Sequence, residues 1–368
     1  MNYKELDTPA LLINEKILNK NIQEMQDYAD KQDVKLRPHT KTHKMPELAK
    51  LQRDKGASGI TVAKVGEAEV MAEHGLTDIF IANEIVGETK IGRIKKLAQS
   101  IAISFGVDSI YQLKEIDKVF QGSEKKAVVL IEIEVGEKRS GIIREEDFVD
   151  LLDEIKKCEQ VHLKGVFSHD GHTYAAESVE HCKELYMQSV KRTVDFANIA
   201  QDKGFTLDVV SIGSTPPFLF GFDIPEAVTE IRPGTYILMD ASQSNVIGSY
   251  HKAAATVLTT VISKPTEERV ITDVGAKGIT TQTRSKGLTK TQGLGKMKEF
   301  EDVYIDKVFD EHAIIYNKNF SENIHLGDKV QIIPNHICPV SNLHEKAYLI
   351  QDDLVVKEMN VECRGKLQ

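Results

Sequence analysis

The hydrophobic and polar positions divide the chain into two textures. Up to about residue 240, short apolar, β-branched runs alternate with segments of helical period. The runs fall at 33–36, 59–63, 78–82, 101–107, 127–135, 161–168, 207–212 and 227–231. Helical patterns separate them at 66–74, 90–99, 109–119, 145–158 and 177–203, and more weakly at 217–222. Residues 15–31 also predict a helix, with Ile17, Leu18, Ile22 and Met25 on one face. Another starts at Pro46, where proline suits a first helical turn. Parallel strands need crossover connections, so this alternation predicts a parallel sheet. Eight such units predict an α/β fold, a closed (β/α)8 TIM barrel. An open doubly wound sheet is the competing architecture. Against it, no Gly-x-Gly-x-x-Gly follows the first strand.

After residue 240 the long helical patterns vanish. Short strand-like runs follow at 257–263, 270–273, 301–308, 313–316, 329–333, 345–350 and 354–359, which predicts an all-β domain. The expected division is a barrel over residues 1–240 and a β-strand domain over 241–368. Residues 1–14, with a short strand at 10–14, are a segment that can join the β domain.

Composition narrows the function classes. The chain has 368 residues, 41% of them hydrophobic and 28% charged, ordinary values for a globular protein. Its net charge of −9 and pI of about 5.8 argue against nucleic acid as a partner, since phosphate backbones want a basic face. No stretch approaches the ~20 apolar residues of a membrane span. Met1–Leu6 lacks a basic-then-apolar signal pattern, so a cytoplasmic location is expected. Cys158, Cys182, Cys338 and Cys363 are far apart with no CxxC pair, and are expected as thiols.

In a barrel, chemistry sits just beyond the C-terminal ends of strands. The unusual tracts all fall there. Arg37-Pro38-His39-Thr40-Lys41-Thr42-His43-Lys44 follows the first strand. A lysine among cations is a candidate for a depressed pKa, hence for a nucleophilic amine; the stretch by itself reads first as a solvated basic turn, since charge runs usually face water. Arg139 follows the fifth strand, and His172 and Tyr174 follow the sixth. Gly213-Ser214-Thr215 and Gly234-Thr235-Tyr236 follow the seventh and eighth. Their backbone N–H groups and hydroxyls suit a phosphate. Beyond the barrel, His336 and Cys338 stand two apart after the run 329–333. In an extended segment they would project together, an imidazole and a thiolate suited to zinc. His344, Glu345 and Asp273 stay open as further ligands.

Together, Asp7-Thr8-Pro9-Ala10, the Arg37–Lys44 segment, Gly66-Glu67-Ala68-Glu69, Gly171-His172-Thr173-Tyr174, Gly213-Ser214-Thr215-Pro216, Arg232-Pro233-Gly234-Thr235-Tyr236 and Pro334-Asn335-His336-Ile337-Cys338 carry a family resemblance. The chain resembles the D-threonine aldolase / D-serine dehydratase family of fold-type III pyridoxal 5'-phosphate (PLP) enzymes, relatives of alanine racemase. The resemblance implies Lys41 as the covalent lysine and Arg139 and Tyr174 around the cofactor ring. It implies Gly213, Ser214, Thr215, Gly234 and Tyr236 as phosphate contacts. It implies His336 and Cys338 as metal ligands, with zinc preferred over manganese or magnesium because a thiolate is soft. Family aldolases resemble His-x-Asp at that pair and the dehydratases His-x-Cys, so this chain leans towards the dehydratases.

The implied activity is dehydration of a D-3-hydroxy amino acid such as D-serine to pyruvate and ammonia. Lys41 would be the general base there, and His43 or His172 is a candidate to take the β-hydroxyl proton in an aldol-type cleavage. The alternative is retro-aldol cleavage to glycine and an aldehyde. A non-catalytic PLP carrier resembles the barrel alone, and the β domain argues against it. A racemase would want a second base, for which Tyr304, Tyr316 and Tyr348 sit in no recognised motif. The resemblance also suggests a homodimer in which the β domain of one chain closes the other's site.

Overall fold

The computed structural model describes residues 1–368. Its first strand, β1 (Ala10–Asn14), stays outside the barrel. Asn14 ends β1 and caps helix α1 (Glu15–Lys31), its side chain accepting the Ile17 N–H at 2.9 Å. α1 buries Leu18, Ile22, Met25 and Ala29, a stripe at helical spacing.

Eight parallel strands then build the TIM-like barrel. They are β2 (Lys35–Leu36), β3 (Ile60–Val62), β4 (Asp78–Glu84), β5 (Ala102–Val107), β6 (Ala127–Ile133), β7 (Val161–Ser168), β8 (Val209–Ile212) and β9 (Glu230–Ile231). Their order is β2-β9-β8-β7-β6-β5-β4-β3. The ring closes between β2 and β3 through Ser58 N to Leu36 O at 2.8 Å and Thr61 N to Pro38 O at 2.9 Å. Helices α2 (Pro46–Asp54), α3 (Val65–Glu73), α4 (Glu88–Leu97), α5 (Ile110–Phe120), α6 (Glu145–Ile155) and α7 (Val179–Asp202) supply the crossovers. Ser109 and Gln112 form a capping box that starts α5. The weak pattern at 217–222 is a single turn, Pro216–Leu219.

The remaining strands are β10 (Ala255–Ser263), β11 (Arg269–Thr272), β12 (Lys296–Met297), β13 (Lys307–Val308), β14 (Ala313–Tyr316), β15 (Lys329–Ile333), β16 (Lys346–Gln351) and β17 (Leu354–Asn360). They form a mixed sheet in the order β13-β14-β11-β10-β1-β16-β17, with β15 on β10 and β12 on β15. β1 pairs antiparallel with β10 and parallel with β16. The strand expected over 301–308 shrinks to Lys307–Val308. Val303 and Ile305 still alternate inward, but they bond to the bend at Gly293–Met297 rather than to a long strand. One buried cluster runs from β1 and α1 through Ile212 and Ile231 to Val257 and Ile332. The second sheet and this side of the barrel therefore share a hydrophobic core.

The barrel's interior is polar along one line. Arg37, 5% exposed, donates Nε to Glu230 at 2.6 Å and Nη1 to Asp78 at 2.8 Å. Ser211 Oγ donates to the other Glu230 oxygen at 2.7 Å and accepts from Arg232. Arg232 also donates to the Ser168 carbonyl at 2.6 Å and lies over the Phe167 ring at 5.3 Å. Burial works against the Arg37 charge, yet Glu230 and Asp78 hold its pKa above the ordinary value. Gly59 makes room for it, because a Cβ there would stand 2.1 Å from Arg37 Nη1.

Removing one partner of a buried ion pair strands the other. Arg37→Met is therefore expected to destabilise the chain by about 3 kcal/mol or more, read from the urea midpoint. An unchanged midpoint would show that Glu230 does not need its partner.

Candidate active site

The tracts beyond β2, β6, β7, β8 and β9 meet around one cleft. Local geometry sorts the basic segment that follows β2. A single 3-10 turn, Thr40–Thr42, sends successive side chains in different directions. Arg37 enters the barrel, whereas His39, Lys41 and Thr42 line the cleft. His43 faces away, with Nε2 at 3.2 Å from Gln52 and Nδ1 accepting the Met45 N–H at 3.1 Å. Lys44 takes a left-handed φ of 60° and pairs with buried Glu67 at 2.8 Å. So of five cationic or titratable side chains in this segment, only Lys41 and His39 reach the cleft.

Burial pushes the Lys41 amine below its ordinary pKa, and the Arg139 charge adds to that push. Burial also drives His39 well below the ordinary histidine value, helped by Lys41 and Arg232. His169 is pushed down to about 4 by burial and bonds Glu137 through Nδ1 at 2.8 Å. The cleft thus holds two neutral imidazoles beside a lysine disposed to lose its proton. Arg139 is half exposed and lies 3.8 Å from Glu132 and 3.6 Å from Glu137.

The opposite wall is made of small hydroxylic residues. Ser214, Thr215, Gly234 and Thr235 line it, with Tyr174 and Arg232 beside them. The backbone N–H groups of Ser214 and Gly234 have no partner within the chain. A Cβ at Gly234 would come within 2.9 Å of Thr42 Oγ1, so glycine lets this loop approach the Lys41 turn. Gly213 lies just behind, where a Cβ would press on the Arg232 backbone at 3.2 Å. Free N–H donors, two hydroxyls and an amine across the cleft fit the phosphate and aldehyde of PLP. The Tyr236 hydroxyl is not part of this wall. It accepts from Gln52 at 2.8 Å, on the same outward side as His43.

His336 and Cys338 are not in extended register, as their spacing had predicted. The chain turns into a short helix, Ile337–Ser341, with His336 at its N-cap position. Asp240 Oδ2 holds that helix by accepting the Ile337 N–H at 3.0 Å. Cys338 Sγ reaches Thr42 Oγ1 at 3.4 Å and Thr235 Oγ1 at 3.8 Å, joining the thiol to both walls of the cleft. The buried His336 Nδ1 has no hydrogen-bond partner, which leaves it free as a donor to a cation. No third His, Cys, Asp or Glu gathers with them. His344 bonds the Gly278 carbonyl, Asp273 takes Thr8 and Thr259, and Glu345 pairs with Arg364. The pair fits a cation whose other positions belong to water or substrate.

His172 also stays off the cleft, under Gly136 and 3.4 Å from Ser189. The polar cleft residues that the sequence left without a role are Thr42, Glu132, His169 and Arg232. All follow or end barrel strands, so position was their one legible signal.

His43 is fully buried, and burial lowers its pKa from 6.5 to about 4. Its contribution to stability is complete above about pH 6.5 and is lost as pH falls through about 4, roughly 3 kcal/mol in all. Its ring carbon resonances, assigned with His43→Gln, are expected to show a neutral ring down to about pH 4. Titration near 6.5 would show a ring that is not desolvated.

Two domain families match the chain. The alanine racemase N-terminal domain covers residues 13–242, and a putative serine dehydratase domain covers residues 254–350. The D-threonine aldolase of Arthrobacter sp is 29% identical across 98% of this chain and 93% of its own. The D-threo-3-hydroxyaspartate dehydratase of Delftia sp. (strain HT23) is 29% identical across 90% of this chain and 91% of its own. The solved structure of that dehydratase superposes with a TM-score of 0.90 over 98% of both chains, and a variant of it was solved in a metal-free form. The crystal structure of D-threonine aldolase from Filomicrobium marinum superposes with a TM-score of 0.91 at 27% identity, over 100% of this chain and 98% of the other. The chain belongs to the D-threonine aldolase / D-serine dehydratase family of fold-type III PLP enzymes, an alanine racemase N-terminal domain joined to a serine dehydratase domain.

Proposed function

We propose that this chain is a PLP- and zinc-dependent dehydratase of D-3-hydroxy amino acids, converting D-serine to pyruvate and ammonia. The observation that carries the reading is Cys338, a thiol at the second position of the metal pair. It is placed against Thr42, one residue from Lys41. Lys41 would bind the cofactor aldehyde, and Ser214, Thr215 and Gly234 its phosphate. Arg232, whose pKa burial lowers to about 10, offers a guanidinium to an acceptor on the ring. His336 and Cys338 would hold the zinc ion; when bound, PLP would supply a sink for the electron pair freed at the substrate α-carbon and the zinc Lewis acidity for the β-hydroxyl as leaving group.

The chain's own residues do the rest. Once substrate amine has displaced it, Lys41 is a neutral amine beside the α-carbon and takes the proton at Nζ. Burial, with the Arg139 charge, lowers its pKa and so favours that neutral form. His39 and His169, both neutral, accept hydrogen bonds without adding positive charge next to Lys41. The β-hydroxyl departs and the enamine product hydrolyses to a 2-oxo acid and ammonia.

Retro-aldol cleavage is the second reading. It needs a base for the β-hydroxyl proton, and the neutral His39 and His169 rings supply candidates. D-Threonine separates the two. The dehydratase reading expects 2-oxobutanoate and ammonia, while glycine and acetaldehyde without 2-oxobutanoate would reverse it. His336→Ala and Cys338→Ala are each expected to lower kcat by about 100-fold or more, with zinc content falling in parallel.

The pH profile gives a further check. Protonation of Lys41 removes the base, so kcat/KM is expected to fall on the acid side. Arg139→Gln removes a charge that lowers the Lys41 pKa, so the acid limb is expected to move to higher pH. A limb that stays or moves down would show that Arg139 does not tune Lys41.

A further inference from the structure

The other arginines near the cleft already have partners. Arg37 has Glu230 and Asp78, Arg232 has Ser211 and Ser168, and Arg139 lies between Glu132 and Glu137. Arg284 differs. It comes from the second sheet's loop between β11 and β12, and its guanidinium lies 5.0 Å from the centre of the Tyr174 ring, a cleft-lining residue. Its Nε is buried without a hydrogen-bond partner, a costly arrangement for a cation with nothing to bind.

The loop is built to hold that residue in place. Thr291 N donates to the Arg284 carbonyl at 2.9 Å, and Arg284 N donates to Thr291 Oγ1 at 3.1 Å. Thr289 Oγ1 donates to the Tyr174 carbonyl at 2.5 Å, and Leu288 N to the Ala176 carbonyl at 2.7 Å. None of these bonds uses the Arg284 side chain. The loop is thus fastened to the wall of the cleft while its guanidinium is left free. The same loop is also tied to the segment that carries His336, where Asn335 Nδ2 donates to the Gly293 carbonyl at 2.9 Å. On the lyase reading above, Lys41 serves the substrate α-carbon and His336 the hydroxyl-bearing β-carbon.

We propose that Arg284 is a specificity-determining residue that binds a second carboxylate on the substrate's β-carbon, so that the preferred substrates are D-3-hydroxy amino dicarboxylic acids of the 3-hydroxyaspartate type. This rests on the lyase reading above and names its substrate class. The planar guanidinium matches a carboxylate through paired N–H donors, and a lysine would not reproduce that fork.

The test compares the holoenzyme with Arg284→Gln and Arg284→Lys. Turnover of D-threo-3-hydroxyaspartate and of D-serine is measured, and so is binding of D-malate and D-lactate by calorimetry. The two hydroxy acids differ by the second carboxylate and cannot react through an amine. In the wild type, D-malate is expected to bind about 10- to 100-fold more tightly than D-lactate, the effect of a charge-assisted pair. In Arg284→Gln that advantage disappears, and kcat/KM for 3-hydroxyaspartate falls by a similar factor while that for D-serine holds. Arg284→Lys recovers part of the loss. Equal losses on both amino acids, or a malate advantage that survives Arg284→Gln, would overturn the proposal. If no amino acid is turned over, the lyase reading fails, and the binding pair still decides what Arg284 does.

Discussion

The structure depends on a buried polar line through the barrel, from Asp78 through Arg37, Glu230, Ser211 and Arg232 to the Ser168 carbonyl. Buried charges are tolerable only when each is paired and bonded. That condition fixes Arg37, the first residue after β2, relative to β4, β8 and β9. It also fixes Arg232, the first residue after β9. The two loops that carry Lys41 and the Gly234 turn leave the barrel from those residues. Their mutual distance, close enough that a Cβ at Gly234 would touch Thr42, is set by the ion line beneath them.

Above that floor, electrostatics divides the cleft into regions. Uncommitted N–H groups and hydroxyls make one wall anion-seeking without formal charge. The opposite wall carries Lys41 with two imidazoles that burial keeps neutral. Keeping His39 and His169 neutral matters because two more cations beside Lys41 would sit in a desolvated space with few carboxylates to balance them. The Glu137–His169 bond achieves orientation without that charge.

The second sheet is part of the same construction. β1, the start of the chain, is a central strand of that sheet, and α1 leads directly from it to β2. A shared core then joins both sheets, so the loops carrying Arg284, His336 and Cys338 are held against the same chain's cleft. Thr42 and Thr235 touch Cys338 from the barrel side. The thiol's position is thereby tied to the lysine turn rather than to its own strand.

Much of this was legible in the sequence. Strand–helix alternation with eight units determined the barrel, because period and crossover length are local properties. The rule that chemistry follows strand ends gathered Lys41, Arg139, Tyr174, Ser214, Thr215 and Gly234 at one mouth. Side-chain direction was not legible, since it depends on turns of one or two residues. A 3-10 turn aims Lys41 inward and His43 outward, and a left-handed Lys44 sends that amine to Glu67. A helix begun at Ile337 replaced the extended register assumed for His336 and Cys338. Arg284 carried no local signal at all, for its meaning comes from Tyr174, more than a hundred residues away. Sequence determined which groups were available and at which end of the fold; packing of distant segments decided which of them face one another.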